Sequence, residues 1–180
     1  MRVRKVIYLS LITSAGIVLH ILEASIPLPI ISVPGAKLGL ANIVNLITLV
    51  VFGFKNALIV ATLRCIVATL GTGAVTGFFY SFSGALFSTI MMWLVYDYLS
   101  KYFSLIGVSI FGAIAHNIAQ LTVASFMISN KLIFTYLPMM MLASLFTGYF
   151  VGLTSIYAST HLKKVFLKDQ RNYNNSIKEL

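Results

Sequence analysis

The sequence predicts an all-α membrane protein with about six transmembrane helices. Three observations carry this prediction. Hydrophobic residues make up 59% of the chain and charged residues only 9%, whereas a soluble domain usually carries about 25% charged residues. The length of 180 residues accommodates about six spans of roughly 20 apolar residues joined by short loops. A separate soluble domain does not fit in addition.

Helix-breaking residues divide the chain into apolar segments. Prolines follow the first segment, and a glycine-rich stretch at residues 71–77 separates the third from the fourth. The predicted spans are residues 6–24, 38–52, 57–70, 78–95, 105–128 and 136–158. Spans two and three are short for a bilayer, so five spans are the alternative. We predict one transmembrane helical domain over residues 1–165 and a flexible, basic cytoplasmic tail over residues 166–180.

The basic residues are distributed as topology signals. The net charge is +9, but the lysines and arginines concentrate at the two ends of the chain and in short turns, a pattern that does not favour nucleic acid as a partner. With six spans, only Lys37 and Lys131 fall on one side, and the other side collects Arg2, Arg4, Lys5, Lys55, Lys101, Lys163, Lys164, Lys168, Arg171 and Lys178. The positive-inside rule therefore favours an even number of spans with both termini in the cytoplasm.

Polar residues inside the predicted spans are the candidates for function. Arg64 lies in the middle of span three, where a charge costs about 2.5 to 3.5 kcal/mol on insertion scales and normally faces an interior cavity. The other polar candidates within spans are His20, Glu23, Asn42, Asn45, His116, Asn117 and Gln120. Several of these are spaced three or four residues apart, so they share a helical face.

The six-span orientation places these residues at related depths. His20, Glu23 and Asn42 fall in the outer half of the membrane. Asn45, Arg64 and His116 fall near the midplane, and Asn117 and Gln120 lie just above it. This arrangement predicts a polar cavity that opens to the exterior, with a cationic floor suited to an anionic or carbonyl-rich small molecule. The alternative is structural: Arg64 pairs with Glu23 or with helix carbonyls, and the amides hydrogen-bond between helices.

Catalytic and cofactor motifs are not found in the sequence. The acidic residues are Glu23, Asp97, Asp169 and Glu179, and they are too widely spaced to form the carboxylate cluster that a magnesium-diphosphate enzyme needs. The glycine-rich stretch lacks the Gly-Lys-Ser/Thr of a phosphate-binding loop, and no metal-binding motif is present. We therefore predict neither an enzyme nor a bound cofactor.

Several short motifs resemble a known family. They are PGAKLGLAN at residues 34–42, Arg64, TGFFYS at 76–81 and GAIAHN at 112–117. Over residues 5–164 the chain resembles the Gx transporter family, whose members are often labelled heptaprenyl diphosphate synthase component I. The wider resemblance is to the substrate-binding S components of energy-coupling factor vitamin transporters, which are six-helix bundles in the bacterial cytoplasmic membrane.

This resemblance implies a binding subunit for uptake of a small anionic, vitamin-like or quinone-like substrate, working with a transmembrane coupling protein and ATPase subunits. It implies that Lys37 and Asn42 contact the substrate near the outer end of span two. Arg64, His116 and Asn117 would contact it deeper in the membrane. The motif at residues 76–81 adds Thr76 and Tyr80 to the candidate substrate-binding residues. The proline-rich residues 26–36 would form a lid. Three alternatives stay open: an accessory subunit of polyprenyl diphosphate synthesis, a membrane anchor for an electron-transfer assembly, and a gradient-driven transporter.

Overall fold

The computed structural model describes residues 2–25 and 39–178, and over these residues it is helical without strands. From α2 onward the helices are joined by turns of a few residues, as expected where the bilayer supplies no water to satisfy an exposed backbone. A short 3₁₀ helix, Lys131–Tyr136, precedes the last α-helix. The α-helices are α1 Arg2–Ser25, α2 Asn42–Phe52, α3 Phe54–Thr72, α4 Val75–Tyr98, α5 Leu105–Ile128 and α6 Leu137–Lys178.

These helices confirm the prediction of an all-α, multi-pass membrane protein. Each predicted span corresponds to one helix, and five of the helices are long and apolar enough to cross a membrane. The exception is α2, whose 11 residues extend about 16 Å, well short of the roughly 30 Å of a bilayer's hydrocarbon core. The start predicted for this span, residue 38, lies outside the described residues, as does the predicted lid at residues 26–36.

The glycine-rich stretch makes a tighter turn than its length suggests. Helix α3 continues through Gly71 to Thr72, and α4 begins at Val75. Only Gly73 takes up the left-handed conformation, with φ +70°, where its backbone N–H bonds to the Thr69 carbonyl and closes α3. Glycine is favoured there because other residues strain in this region.

The short helix α2 occupies a central place in the bundle. It packs against α1, α3, α4 and α6, while α4 packs on α5 and α5 on α6. Most of its residues from Asn42 to Leu49 are buried, including Asn45 and Thr48, which have no exposed surface. A helix this short and this enclosed brings its polar residues into contact with helices on several sides.

Aromatic contacts show which ends of the helices lie together. The Phe166 ring of α6 packs edge-on against Tyr8 near the start of α1 and against Phe52 at the end of α2. Phe54 at the start of α3 stacks on Trp93 near the end of α4. The start of α1 at Tyr8 and the part of α6 at Phe166 therefore lie at the same end of the bundle.

Helices α5 and α6 approach each other through two glycines. A Cβ at Gly148 would lie 2.7 Å from the Ile110 Cα, and one at Gly152 would lie 2.5 Å from the Ile106 Cα. These glycines form a Gly-x-x-x-Gly sequence on α6, and they meet backbone that is likewise four residues apart on α5. Small residues at this spacing allow membrane helices to pack at backbone distance.

Candidate functional site

The carboxylate of Glu23 caps the buried start of α2. Glu23 lies near the end of α1 and is 5% exposed. Its Oε1 accepts hydrogen bonds from the backbone N–H groups of Gly39 and Leu40, and its Oε2 accepts one from Ala41 at 3.5 Å. These N–H groups lead into α2, where the helix dipole favours a negative charge. The anion at this helix terminus is thus supplied by α1 of the same chain.

Replacing Glu23 with alanine is expected to lower the thermal unfolding midpoint in detergent. Each buried backbone donor left without an acceptor costs about 1–3 kcal/mol, and Glu23 serves three of them. Glu23→Gln keeps one acceptor oxygen without the charge and should lose less stability than Glu23→Ala. Equal midpoints for the parent and Glu23→Ala would show that the cap contributes nothing.

The side chain of Arg64 extends from α3 to contact α1. It is 3% exposed, and its Nη1 lies 3.4 Å from His20 Nδ1. Its Nε is buried with no hydrogen-bond partner among the described residues. A Cβ at Gly16 of α1 would come within 2.9 Å of the Arg64 Cδ, so glycine leaves room for the arginine stem. Arg64 is therefore a buried cation with donor capacity still available.

A second group of polar side chains centres on His116 of α5. The Asn42 carboxamide nitrogen lies 3.2 Å from His116 Nδ1, and the Gln120 carboxamide nitrogen lies 2.9 Å from His116 Nε2. Asn45 Nδ2 donates to Asn42 Oδ1 at 3.5 Å and to Thr89 Oγ1 at 3.1 Å. These contacts join α2, α4 and α5, and we refer to these five residues as the His116 network.

Hydrogen bonding within the His116 network can run in more than one direction. A neutral imidazole accepts at one nitrogen and donates from the other, so one of the two carboxamides beside His116 must present its oxygen to it. Asn45 Oδ1, moreover, has no hydrogen-bond partner among the described residues. The hydrogen bonds of the His116 network can therefore point in more than one direction, and Asn45 Oδ1 can accept a further hydrogen bond.

Two glycines shape the space around the imidazole. At Gly84 of α4 an added Cβ would lie 2.6 Å from His116 Cε1, and at Gly39 it would lie 3.4 Å from His116 Cδ2. Gly39 also has φ +83° and donates its N–H to Glu23. The Glu23 cap and the His116 network thus meet at Gly39.

Three other predicted site residues, Asn117, Tyr80 and Thr76, take no part in the contacts described above for the Glu23 cap, the Arg64–His20 pair or the His116 network. Asn117 faces α6, where its Nδ2 donates to the Met140 carbonyl at 2.9 Å and to Ser144 Oγ at 2.7 Å. Tyr80 belongs to an apolar cluster with Leu121 and Met140. Thr76 is exposed near the start of α4, and Lys37 lies outside the described residues.

Sequence reasoning missed two hydroxyl partners, Thr89 and Ser144. Each also donates to the carbonyl four residues earlier in its own helix, at 2.7 and 2.8 Å. Such bonds are ordinary for hydroxyls in apolar helices, so the sequence carries no signal that either residue also serves an asparagine. The hydrogen bonds from Asn45 to Thr89 and from Asn117 to Ser144 become apparent only when α2 is packed on α4 and α5 on α6.

Together these side chains supply the buried part of the bundle with a cation and with neutral hydrogen-bonding groups. The described residues include no group of three or more His, Cys, Asp or Glu side chains that could hold a metal ion. The buried groups offer a fixed cation at Arg64, amide and imidazole hydrogen bonds, and acceptor oxygens. This chemistry suits a small molecule with carboxylate or carbonyl groups.

Comparison with known proteins bears on the family. Curated proteins and solved structures give no significant match. A family model described as heptaprenyl diphosphate synthase component I matches residues 12–158, a range that begins within α1 and ends within α6. This match confirms the resemblance of the sequence motifs to the Gx transporter family. The chain belongs to the heptaprenyl diphosphate synthase component I family, also called the Gx transporter family.

Proposed function

We propose that this protein is the substrate-binding membrane subunit of an uptake system for a small anionic or carbonyl-rich molecule. The observation that carries the proposal is Arg64, a buried cation in the bundle whose Nε has no partner among the described residues. Membrane proteins that place a charge at this depth usually use it to bind or move a substrate. The neighbouring amides and His116 supply the neutral hydrogen bonds that would fix the orientation of such a molecule.

In this proposal the substrate enters from the side opposite the basic termini. Glu23, His20 and Asn42 lie toward that side, and Arg64 and His116 form the deeper part of the site. The termini face the cytoplasm, as the positive-inside rule indicates. Since the described residues contain no nucleotide-binding motif, uptake would draw on separate ATPase subunits reached through a coupling protein, as the resemblance to S components implies.

Identifying the small molecule bound to the purified protein tests the proposed function. The intact chain is purified from its membrane in mild detergent, and bound small molecules are released and identified by mass spectrometry. We expect a stoichiometric anionic or carbonyl-rich compound that cells take up only when the protein is present. A protein that is pure, folded and free of small molecules, in cells whose uptake of candidate compounds is unchanged by its deletion, contradicts the proposal.

A second candidate is an accessory role in polyprenyl diphosphate synthesis. The observation that favours it is the match to the family described as component I of heptaprenyl diphosphate synthase. In this role the membrane bundle would hold a soluble synthase or its lipid-like product, and catalysis would belong to the other component. Reconstitution distinguishes the two functions: if the soluble synthase makes long-chain product only when this protein is present in the bilayer, the accessory role holds.

A further inference from the structure

The imidazole of His116 does not by itself decide which direction the hydrogen bonds of the His116 network take. Its two nitrogens each face a carboxamide, that of Asn42 at 3.2 Å and that of Gln120 at 2.9 Å. A neutral imidazole donates from one nitrogen and accepts at the other. Either direction would satisfy these three residues, so a further contact has to select between them.

The hydroxyl group of Thr89 has only one way to bond. Its Oγ1 lies 2.7 Å from the carbonyl oxygen of Ala85, one turn earlier in α4. A carbonyl oxygen cannot donate, so the hydroxyl proton of Thr89 belongs to this bond, and toward any other group Oγ1 can only accept. Thr89 has no exposed surface, so bulk water does not compete for the proton. Thr89 therefore presents a fixed acceptor to α2.

This fixed acceptor determines which end of the Asn45 carboxamide faces Thr89. The oxygen and nitrogen of a carboxamide have nearly the same shape, and their hydrogen-bond partners distinguish them. Because Thr89 Oγ1 can only accept, the atom of Asn45 that lies 3.1 Å from it is the nitrogen, Nδ2. The second proton of the same Nδ2 points to Asn42 at 3.5 Å, where Asn42 must present Oδ1. The nitrogen of Asn42 is thereby turned toward His116.

The order passes from Asn42 through the imidazole to Gln120. Asn42 Nδ2 donates to His116 Nδ1, which must therefore carry a lone pair and not a proton. In a neutral imidazole the proton then lies on Nε2, and it points at the carboxamide of Gln120, whose nitrogen is 2.9 Å away. A half-turn of this carboxamide places its oxygen there as the acceptor. The carbonyl of Ala85 thus sets the direction of each hydrogen bond as far as Gln120.

We infer that Thr89 is a positioning residue that orders the His116 network in one direction and holds His116 as the neutral tautomer with its proton on Nε2. The same helix makes room for the ring. Gly84 of α4 lies against the imidazole, and a Cβ there would lie 2.6 Å from His116 Cε1. Helix α4 therefore both accommodates the imidazole and sets its tautomer.

An ordered network gives the proposed substrate site a fixed polarity. This consequence rests on the proposed function, whereas the order itself does not. The order identifies the buried atom of Asn45 that has no partner among the described residues as its oxygen, an acceptor. In the proposed site this acceptor would favour a substrate with an N–H or O–H donor, because a buried polar group left unpaired is costly.

Nitrogen NMR of isotopically labelled histidine in the intact protein tests the order directly. The protein is purified in mild detergent at neutral pH, and the signals of His116 are identified as those missing from His116→Gln. A protonated ring nitrogen and an unprotonated one resonate far apart, so the two tautomers are distinguished without any bound substrate. We expect the proton of His116 on Nε2 in the parent protein.

Three threonine variants then test the role of Thr89. Thr89→Val keeps the shape of the side chain without the hydroxyl, and it should lower the ratio of the Nε2–H to the Nδ1–H tautomer about tenfold, as expected for the loss of one ordinary hydrogen bond. Thr89→Ser keeps a hydroxyl and should keep the parent ratio. Thr48→Val is the matched control, since Thr48 is equally buried and bonds to the Val44 carbonyl at 2.7 Å but does not belong to the His116 network.

Four results would overturn the inference. They are a proton on Nδ1 of His116 in the parent, a mixture of tautomers or a doubly protonated ring in the parent, an unchanged tautomer ratio in Thr89→Val, and an equal loss of order in Thr48→Val. The proposed function fails separately, because a protein without any bound small molecule still reports the tautomer of His116.

Discussion

Arg64→Ala is expected to lower affinity for the small-molecule substrate by about 10- to 100-fold. A charge-assisted hydrogen bond contributes about 1.5–3 kcal/mol, and each 1.4 kcal/mol is a factor of ten in the dissociation constant. Arg64 lies beside His20, and its Nε is a buried donor without a partner among the described residues, so an anion bound at Arg64 would be stabilised by the guanidinium group. The measurement is the amount of substrate retained on purification, followed by titration of the emptied protein.

Two further variants separate binding from general damage. Arg64→Lys keeps the charge but loses the planar guanidinium, and it should retain part of the affinity. Ser155→Ala removes another buried polar group that lacks a partner among the described residues but lies on α6, so binding should be unchanged. If Arg64→Ala binds as tightly as the parent, the arginine serves the bundle alone and the proposed site is wrong.

Gly152→Ala is expected to destabilise the bundle more than most single substitutions. Its Cβ would lie 2.5 Å from the Ile106 Cα, a backbone atom that moves only with its helix, so α5 and α6 must separate locally. Overpacking of this kind costs about 1–3 kcal/mol, and we expect the upper part of that range. Thermal unfolding in a fixed detergent, followed by circular dichroism, provides the measurement.

The chain offers a matched control for the glycine prediction. A Cβ at Gly71 in the last turn of α3 meets nothing within 4 Å, so Gly71→Ala should be neutral or slightly stabilising because alanine favours the helix by about 1 kcal/mol. Gly148→Ala should behave like Gly152→Ala, since it meets the Ile110 Cα at 2.7 Å. Equal unfolding midpoints for Gly71→Ala and Gly152→Ala would contradict the close α5–α6 contact.

Hydropathy and charge were sufficient to predict the helices because the bilayer, which is the solvent of these helices, determines where apolar and charged residues can lie. The predicted fifth span coincides with Leu105–Ile128, since a bilayer excludes polar side chains sharply at both ends of a helix. The length of α2 was harder to predict. A short apolar segment is compatible with a tilted span, a half-span or a buried helix, and only its neighbours on several sides distinguish these possibilities.

The sequence predicted which polar side chains are buried in the bundle better than it predicted which of them are in contact. Spacing correctly placed His116 and Gln120 on one face, and they contact each other. Spacing could not show that Asn117, one position away, pairs with α6, because the partner depends on which helix packs there. The role of Glu23 was also hidden, since a cap on α2 depends on where the chain returns at Gly39.

The Gly-x-x-x-Gly spacing at residues 148–152 is visible in the sequence, but by itself it does not predict a specific helix contact. Such spacing recurs by chance in apolar segments, so the sequence alone does not identify the helix that it contacts. The close approach to Ile106 and Ile110 supplies that missing information and explains why α5 and α6 share a long interface.

The position of α2 has a consequence for how the protein is made. Helix α2 is synthesised before α3, α4 and α5, yet one of the helices that encloses it is α6, which follows them in the chain. Asn117 on α5 likewise finds the acceptors for its carboxamide nitrogen on α6. Until α6 arrives, these amides face lipid or the insertion machinery, where an unsatisfied polar group is costly. Assembly of the interior is therefore completed only after α6 has been translated, and a chain truncated before Leu137 would be held in an unfinished state that cellular quality control can recognise.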